Sequence, residues 1–249
     1  MKNIHLVMPM AGGGTRFGSE GFELPKPLIG LQGKPFFYWA AQSVAKFVDV
    51  LDLTFVVLKE HVDRFGIDDK IKELYPQAAV RVIPAVLNGA VLTCLEGVKD
   101  IQDGLPVLFN DCDHAFLCRE FYEYCRCADF AGLDGALLTF PSRDPVFSYV
   151  KYDEKGMVTG TVEKKAVSSE AVCGAYYFKN RSVFEDAAGS YLTSCAYQEF
   201  FMSGVYNEMA AKEKKIRTFH LDTHVSFGTP QEYWLAQRDE RLGELAGWN

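Results

Sequence analysis

The chain lacks any apolar run approaching the roughly 18 residues of a bilayer-spanning helix, and it has no internal repeat or low-complexity tract. It also lacks an excess of positive charge. Its 26 Lys and Arg stand against 33 Asp and Glu, a formal charge of −7. That balance excludes general attraction to nucleic acid or an anionic membrane, so neither is expected as a partner, and any phosphate must be held by a few local cations. The cysteines (Cys94, Cys112, Cys118, Cys125, Cys127, Cys173 and Cys195) contain no CxxC pair and are odd in number. A zinc knuckle and a complete disulfide framework are both excluded. They read as small apolar fillers in a reducing, cytoplasmic setting. The opening "MKNIHLVMPM" meets glycines too soon for a secretory signal.

What is present is an alternating pattern. Apolar, β-branched runs at 4–9, 53–58, 79–84 and 106–109 are separated by segments of helical period at 35–47, near "KIKELY" and at 89–101. This predicts an α/β fold, a Rossmann-like doubly wound sheet with ligands at the carboxyl ends of its strands. Further on, "GALLTF", "SYVKYD", "MVTGTVE" and "AVCGAYYF" read as strands, the middle two joined by the turn "DEKG". They make a small antiparallel lobe within one continuous domain, 1–249. A short helix is expected after Asn180, a longer one over "QEFFMSGVYNEMAAKE" with Phe201, Val205 and Met209 as its core stripe, then strand "IRTFHL" and a closing helix from Pro230.

"MPMAGGGTRFG" places Gly12, Gly13 and Gly14 directly after the first strand. Glycine there lets backbone N–H groups approach an anion with no Cβ in the way. The stretch fits neither GxxxxGK[ST] nor GxGxxG, which argues against a P-loop and a nicotinamide site. Arg16 follows the glycines, and Pro25, Lys26 and Pro27 stand about ten residues beyond it. Two placed cations beside a backbone nest suit a triphosphate, whose reaction builds negative charge on oxygen.

"AGGGTRFGSEGFELPKPL", residues 11–28, resembles the signature of the nucleotidyltransferases that activate sugar 1-phosphates and related phosphomonoesters: AGxGTR after a strand, then PKP. The resemblance implies a mixed sheet of the nucleotide-diphospho-sugar transferase type, with a nucleotide-binding half at 1–115 and an acceptor half at 116–249. It implies that Ala11, Gly12, Gly13, Gly14 and Thr15 hold the nucleotide, that Arg16 contacts the β- and γ-phosphates, and that Lys26 contacts the reacting phosphate. "NGAVLTCLEG" is similar to a helix start that meets the base, with Gly89 as the residue of close approach. "VEKK" and "AVCGAYYF" resemble acceptor-binding segments, which implicates Glu163, Lys164 and Gly174.

"LFNDCDHAF" carries Asp111 and Asp113 two residues apart at another strand's carboxyl end, able to hold a hard cation such as Mg2+. The family pattern favours Asp113, with Asp111 as helper or second ligand. His114 next to it reads as a substrate hydrogen-bonder or a bystander, not as a metal ligand. The family also places a late aspartate two residues before the glycine of a GTP segment. Here that position is Ser226, and Asp222 lies four residues earlier. Either a bulge brings Asp222 to the metal, or the metal is held from one side.

The expected reaction is Mg2+-dependent attack of a sugar 1-phosphate or similar monoester on a nucleoside triphosphate, releasing pyrophosphate. The chain's size and short ends resemble bare catalytic domains of surface-polysaccharide precursor synthesis. A glycosyltransferase using DCD as its metal motif is the first alternative, though it leaves Arg16 and Lys26 unused. A nucleotide-binding regulatory module without turnover is the second. Neither the nucleotide, the acceptor nor a homo-oligomeric state is specified by the sequence.

Overall fold

The computed structural model describes residues 4–127 and 132–247. Its first half alternates strand and helix. β1 (Ile4–Pro9) leads through the glycine loop to α1 (Thr15–Ser19), and a ribbon of β2 (Gly30–Leu31) and β3 (Lys34–Pro35) leads to α2 (Phe36–Ala45). β4 (Val50–Leu58) is followed by α3 (Lys59–Phe65) and α4 (Ile67–Leu74), β5 (Ala79–Ile83) by α5 (Ala90–Val98), and then comes β6 (Val107–Asn110). β1 is almost wholly buried and, apart from His5, apolar, as suits a parallel strand covered on both faces. It pairs in parallel with β4 on one side and β6 on the other, and β4 pairs in parallel with β5.

The second half adds β7 (His114–Leu117), α6 (Arg119–Arg126), β8 (Gly135–Pro141), β9 (Ser148–Tyr152), β10 (Val158–Glu163) and β11 (Glu170–Phe178). After these come α7 (Arg181–Ser194), α8 (Met202–Ala211), β12 (Ile216–His220), β13 (Thr223–Ser226), α9 (Pro230–Ala236) and α10 (Glu240–Gly247). β11 joins the halves. Its residues 175–178 run antiparallel to β6, while Ala171 pairs with Tyr149 of the β9–β10 hairpin. Where β6 ends, the hairpin begins, and the sheet is thereby opened at the carboxyl end of β6. β8 and β12 extend the sheet beyond β11.

Two apolar layers cover the sheet. One packs α2 and α6 against it through Phe37, Ala41, Phe121 and their neighbours, and the other packs α5, α7 and α8 through Val91, Phe184 and Val205. Close approach of α5 requires Gly97, since a Cβ there would lie 2.5 Å from Val7. No described helix is long and apolar enough to cross a membrane.

Three expectations need correction. The polar helix ending near "KIKELY" is two helices, broken at Gly66, whose φ of +59° turns the chain. The helix after Asn180 is not short, because the Asn180 side chain caps it by accepting from Val183 N at 2.9 Å and it then runs 14 residues. The helix expected over 198–213 begins at Met202, so Phe201 is its N-cap, half-buried at the cleft, while Val205 and Met209 are buried core.

Candidate active site

Strand β1 delivers the glycine loop, β6 delivers Asp111 and Asp113, and both open on a cleft of about 230 Å³ completed by the β9–β11 lobe and by β13. In the loop, Gly14 adopts φ +59° and α1 starts immediately after it. The N–H groups of Gly12, Gly13 and Gly14 donate to no partner among the described residues. Arg16 is exposed and lines the cleft, and its guanidinium also has no partner there. Gly14 packs on Lys26, at 3.6 Å from where its Cβ would stand, so the loop and the Pro25–Pro27 turn form one surface. Ala11 is buried at its base and Thr15 is exposed.

Lys26 Nζ donates to Asp113 Oδ2 at 2.8 Å, with the two side chains 29% and 25% exposed. Burial works against the lysine's charge, but the Asp113 carboxylate outweighs it and raises the ammonium well above the ordinary lysine range. In turn, burial would raise Asp113, yet Lys26 holds it below the usual carboxylate range. Asp111 has no such partner. Burial, reinforced by the charge of Asp113, pushes it up to about 7. Cys112 between them is pushed up to about 12 by burial, which removes it as a nucleophile.

Two glycines make room for the two carboxylates. A Cβ on Gly174, itself at φ +96°, would lie 2.7 Å from Asp111 Oδ2, and one on Gly228 would lie 2.6 Å from Asp113 Oδ2. Backbone bonds hold these segments together, Asp111 N donating to Gly174 O at 3.0 Å and Phe227 N, next to Gly228, donating to Asp113 O at 2.9 Å. Asp111, whose charge burial and Asp113 disfavour, and the ionised Asp113 beside it are a fitting donor set for a divalent cation. No three acidic, His or Cys side chains converge on one point among the described residues. Mg2+ does not need three, since it commonly takes one or two carboxylates and completes its shell with water and phosphate oxygens.

On the acceptor side, Glu163 at the end of β10 accepts hydrogen bonds at Oε2 from Ser203 Oγ at 2.9 Å and from Ser148 Oγ. Lys164 takes a left-handed φ of +54°, its N–H donates to Phe147 O at 3.0 Å, and its Nζ lies 4.8 Å from the Phe201 ring centre. Glu163, Gly174 and Phe201 all line the cleft.

Asp222 does not. Its carboxylate accepts from Arg119 N at 2.8 Å and pairs with the Arg119 guanidinium at 3.2 Å, serving the start of α6. β13 and β7 pair in continuous register from Thr223–Leu117 to Ser226–His114, without a bulge. Asp222 therefore sits about 17 Å along the ladder from the level of Asp113, and Ser226 lines the cleft. Gly89 also differs from expectation. Its φ is +101°, but the space a Cβ would need is taken by the Phe200 backbone, 2.4 Å away, so its glycine is required by packing on the α8 approach. Its neighbour Ala90 lines the cleft instead.

Several residues of the site escaped the sequence reading. Ser148 in the cleft and the buried Ser203 that supports Glu163 carry no pattern, and Tyr176 lies on a strand that reads as core. Glu232 forms a capping box with Thr229, so "TPQE" signals the α9 start and hides its place beside Asp113. His224 lies on β13, whose four residues gave no strand signal.

The model of the family described as Nucleotidyl transferase matches residues 6–241. No curated protein matches the sequence. Among solved structures, the nucleoside-diphosphate-sugar pyrophosphorylase from Vibrio cholerae RC9 superimposes with a TM-score of 0.80 at 21% identity, covering 94% of this chain and 100% of that one. The inositol-1-phosphate CTP transferase from T. maritima does so with a TM-score of 0.74 at 14% identity, covering 99% and 95%. Both share the mixed-sheet fold, and with the family model spanning nearly the whole sequence, this chain belongs to the nucleotidyl transferase family.

Proposed function

We propose that this enzyme transfers the nucleotidyl group of a nucleoside triphosphate to a phosphomonoester such as a sugar 1-phosphate, releasing pyrophosphate with Mg2+ as cofactor. The observation that carries the reading is the Lys26–Asp113 contact, which brings the cation of the glycine-loop surface onto the acidic pair of β6. The N–H groups of Gly12 to Gly14 and the guanidinium of Arg16 bind and orient the β- and γ-phosphates, where charge accumulates as pyrophosphate leaves. Lys26 steadies the reacting phosphate region. Asp111 and Asp113 would hold Mg2+, which supplies charge neutralisation and alignment of the phosphates when bound.

The acceptor's phosphate oxygen forms the new bond to the α-phosphorus as the bond to the β-phosphate oxygen breaks. The attacking oxygen is already anionic, so the protein needs neither a nucleophile of its own nor a general base. Glu163, fixed by Ser148 and Ser203, and Lys164 position the acceptor on the lobe side. A pyrophosphate-release screen over the common nucleoside triphosphates and a range of phosphomonoesters tests the reading. One pair is expected to turn over in a Mg2+-dependent manner. Silence across the panel from folded, Mg2+-supplied protein overturns it.

A further inference from the structure

His114 and His224 occupy one face of the β7–β13 ladder. Antiparallel pairing sets His114 opposite Ser226 and His224 opposite Phe116, and alternation brings all four to the same side. The ring centres of the two histidines are 5.7 Å apart. His114 is 2% exposed and both of its ring nitrogens are buried without a partner, as is Nε2 of His224. Ser226 Oγ likewise makes no hydrogen bond among the described residues. These three side chains line the cleft. Buried polar atoms are nearly always paired, so unpaired ones facing a cavity mark the place where a ligand supplies the partners.

Their neighbours say which ligand. The His224 ring lies 4.0 Å from that of Phe140, and Phe140 lies 5.0 Å from Phe147, whose carbonyl accepts from Lys164 N. This aromatic column ties His224 to the Glu163–Lys164 segment, while His114 directly follows Asp113 in the chain. An imidazole and a serine hydroxyl each offer both a donor and an acceptor. A hydroxyl matches that pairing, whereas a quaternary ammonium head offers no hydrogen to either.

We infer that His114, His224 and Ser226 form a specificity wall that reads hydroxyl groups on the body of the acceptor, apart from its reacting phosphate. This rests on the phosphomonoester reading above and sharpens it. A site that hydrogen-bonds a substrate hydroxyl discriminates strongly against analogues without one, because its own buried groups are then left unpaired.

The test is calorimetric binding in the presence of Mg2+ and a non-hydrolysable nucleoside triphosphate. The probes are hexose 1-phosphates, inositol 1-phosphate, phosphocholine and inorganic phosphate. At least one polyol phosphate is expected to bind about tenfold or more tightly than phosphocholine and inorganic phosphate. His224→Phe keeps the ring packing on Phe140 and is expected to erase that margin, while His224→Asn restores part of it. Ser226→Ala, which touches no ring contact, should reduce it by a few fold and covers the case in which His224→Phe fails to fold. The wall is overturned if polyol phosphates bind no better than phosphocholine, or if the variants weaken every probe alike. Failure of the reaction reading looks different: a polyol phosphate bound through His224 that yields no pyrophosphate with any triphosphate.

Discussion

Lys26 Nζ sits 2.8 Å from Asp113 Oδ2, and the same oxygen occupies the space that a Cβ on Gly228 would invade at 2.6 Å. One carboxylate is thus held between a cation from the PKP turn and a glycine from the GTP turn, 202 residues apart in the chain. Lys26→Met removes the cation and leaves Asp113 without its counter-charge. Turnover is expected to fall by about 10²- to 10³-fold, with a stability loss of about 1–3 kcal/mol from the unpaired carboxylate. Pyrophosphate release and urea denaturation read the two effects. Activity within a few fold of wild type would remove Lys26 from the reaction.

Gly228→Ala crowds Asp113 without introducing charge, and its backbone needs no left-handed angle. The protein is therefore expected to fold and to need a higher Mg2+ concentration for half-maximal activity, by about tenfold. Gly174→Ala crowds Asp111 in the same way and adds backbone strain at φ +96°, which costs about 1 kcal/mol or more. A Mg2+ titration beside a melting curve separates the two variants. Unchanged Mg2+ dependence in both would mean that these carboxylates do not hold the cation.

The motifs that stood in the sequence as contiguous strings were legible because their chemistry is local. Gly12 to Arg16 and the Asp111–Asp113 pair each follow a strand end, and strand ends show in the apolar pattern, while Lys26 is marked by the prolines on either side of it. What was hidden depended on tertiary register. Asp222 and Ser226 are four residues apart on one strand, and the β7–β13 pairing decides which faces the cleft. Gly89 looks like a ligand-approach glycine until the Phe200 backbone is seen against it. Phe201 fits a four-residue helical spacing, but the helix starts after it. In each case the deciding partner lies far away in sequence.

Asp222→Ala tests that register. The side chain caps α6 and pairs with exposed Arg119, so its loss is expected to cost about 1 kcal/mol of stability. Mg2+ dependence and the KM for both substrates should be unchanged. A severalfold shift in the Mg2+ requirement would return Asp222 to the metal site.

Arg16→Ala gives the cleanest separation of fold from function. The side chain is exposed and its guanidinium has no partner among the described residues, so no packing, ion pair or hydrogen bond is lost with it. Stability is expected to stay within about 0.5 kcal/mol of wild type, as for other surface substitutions free of such features. If Arg16 neutralises the departing pyrophosphate, the charge it meets is larger in the transition state than in bound triphosphate. kcat should then fall more than the nucleotide KM rises, with about a 10²-fold loss in kcat/KM. A rise in KM alone would instead make Arg16 a binding contact that acts equally on ground and transition states. Normal values of both would leave the glycine loop without its cation and overturn the triphosphate assignment.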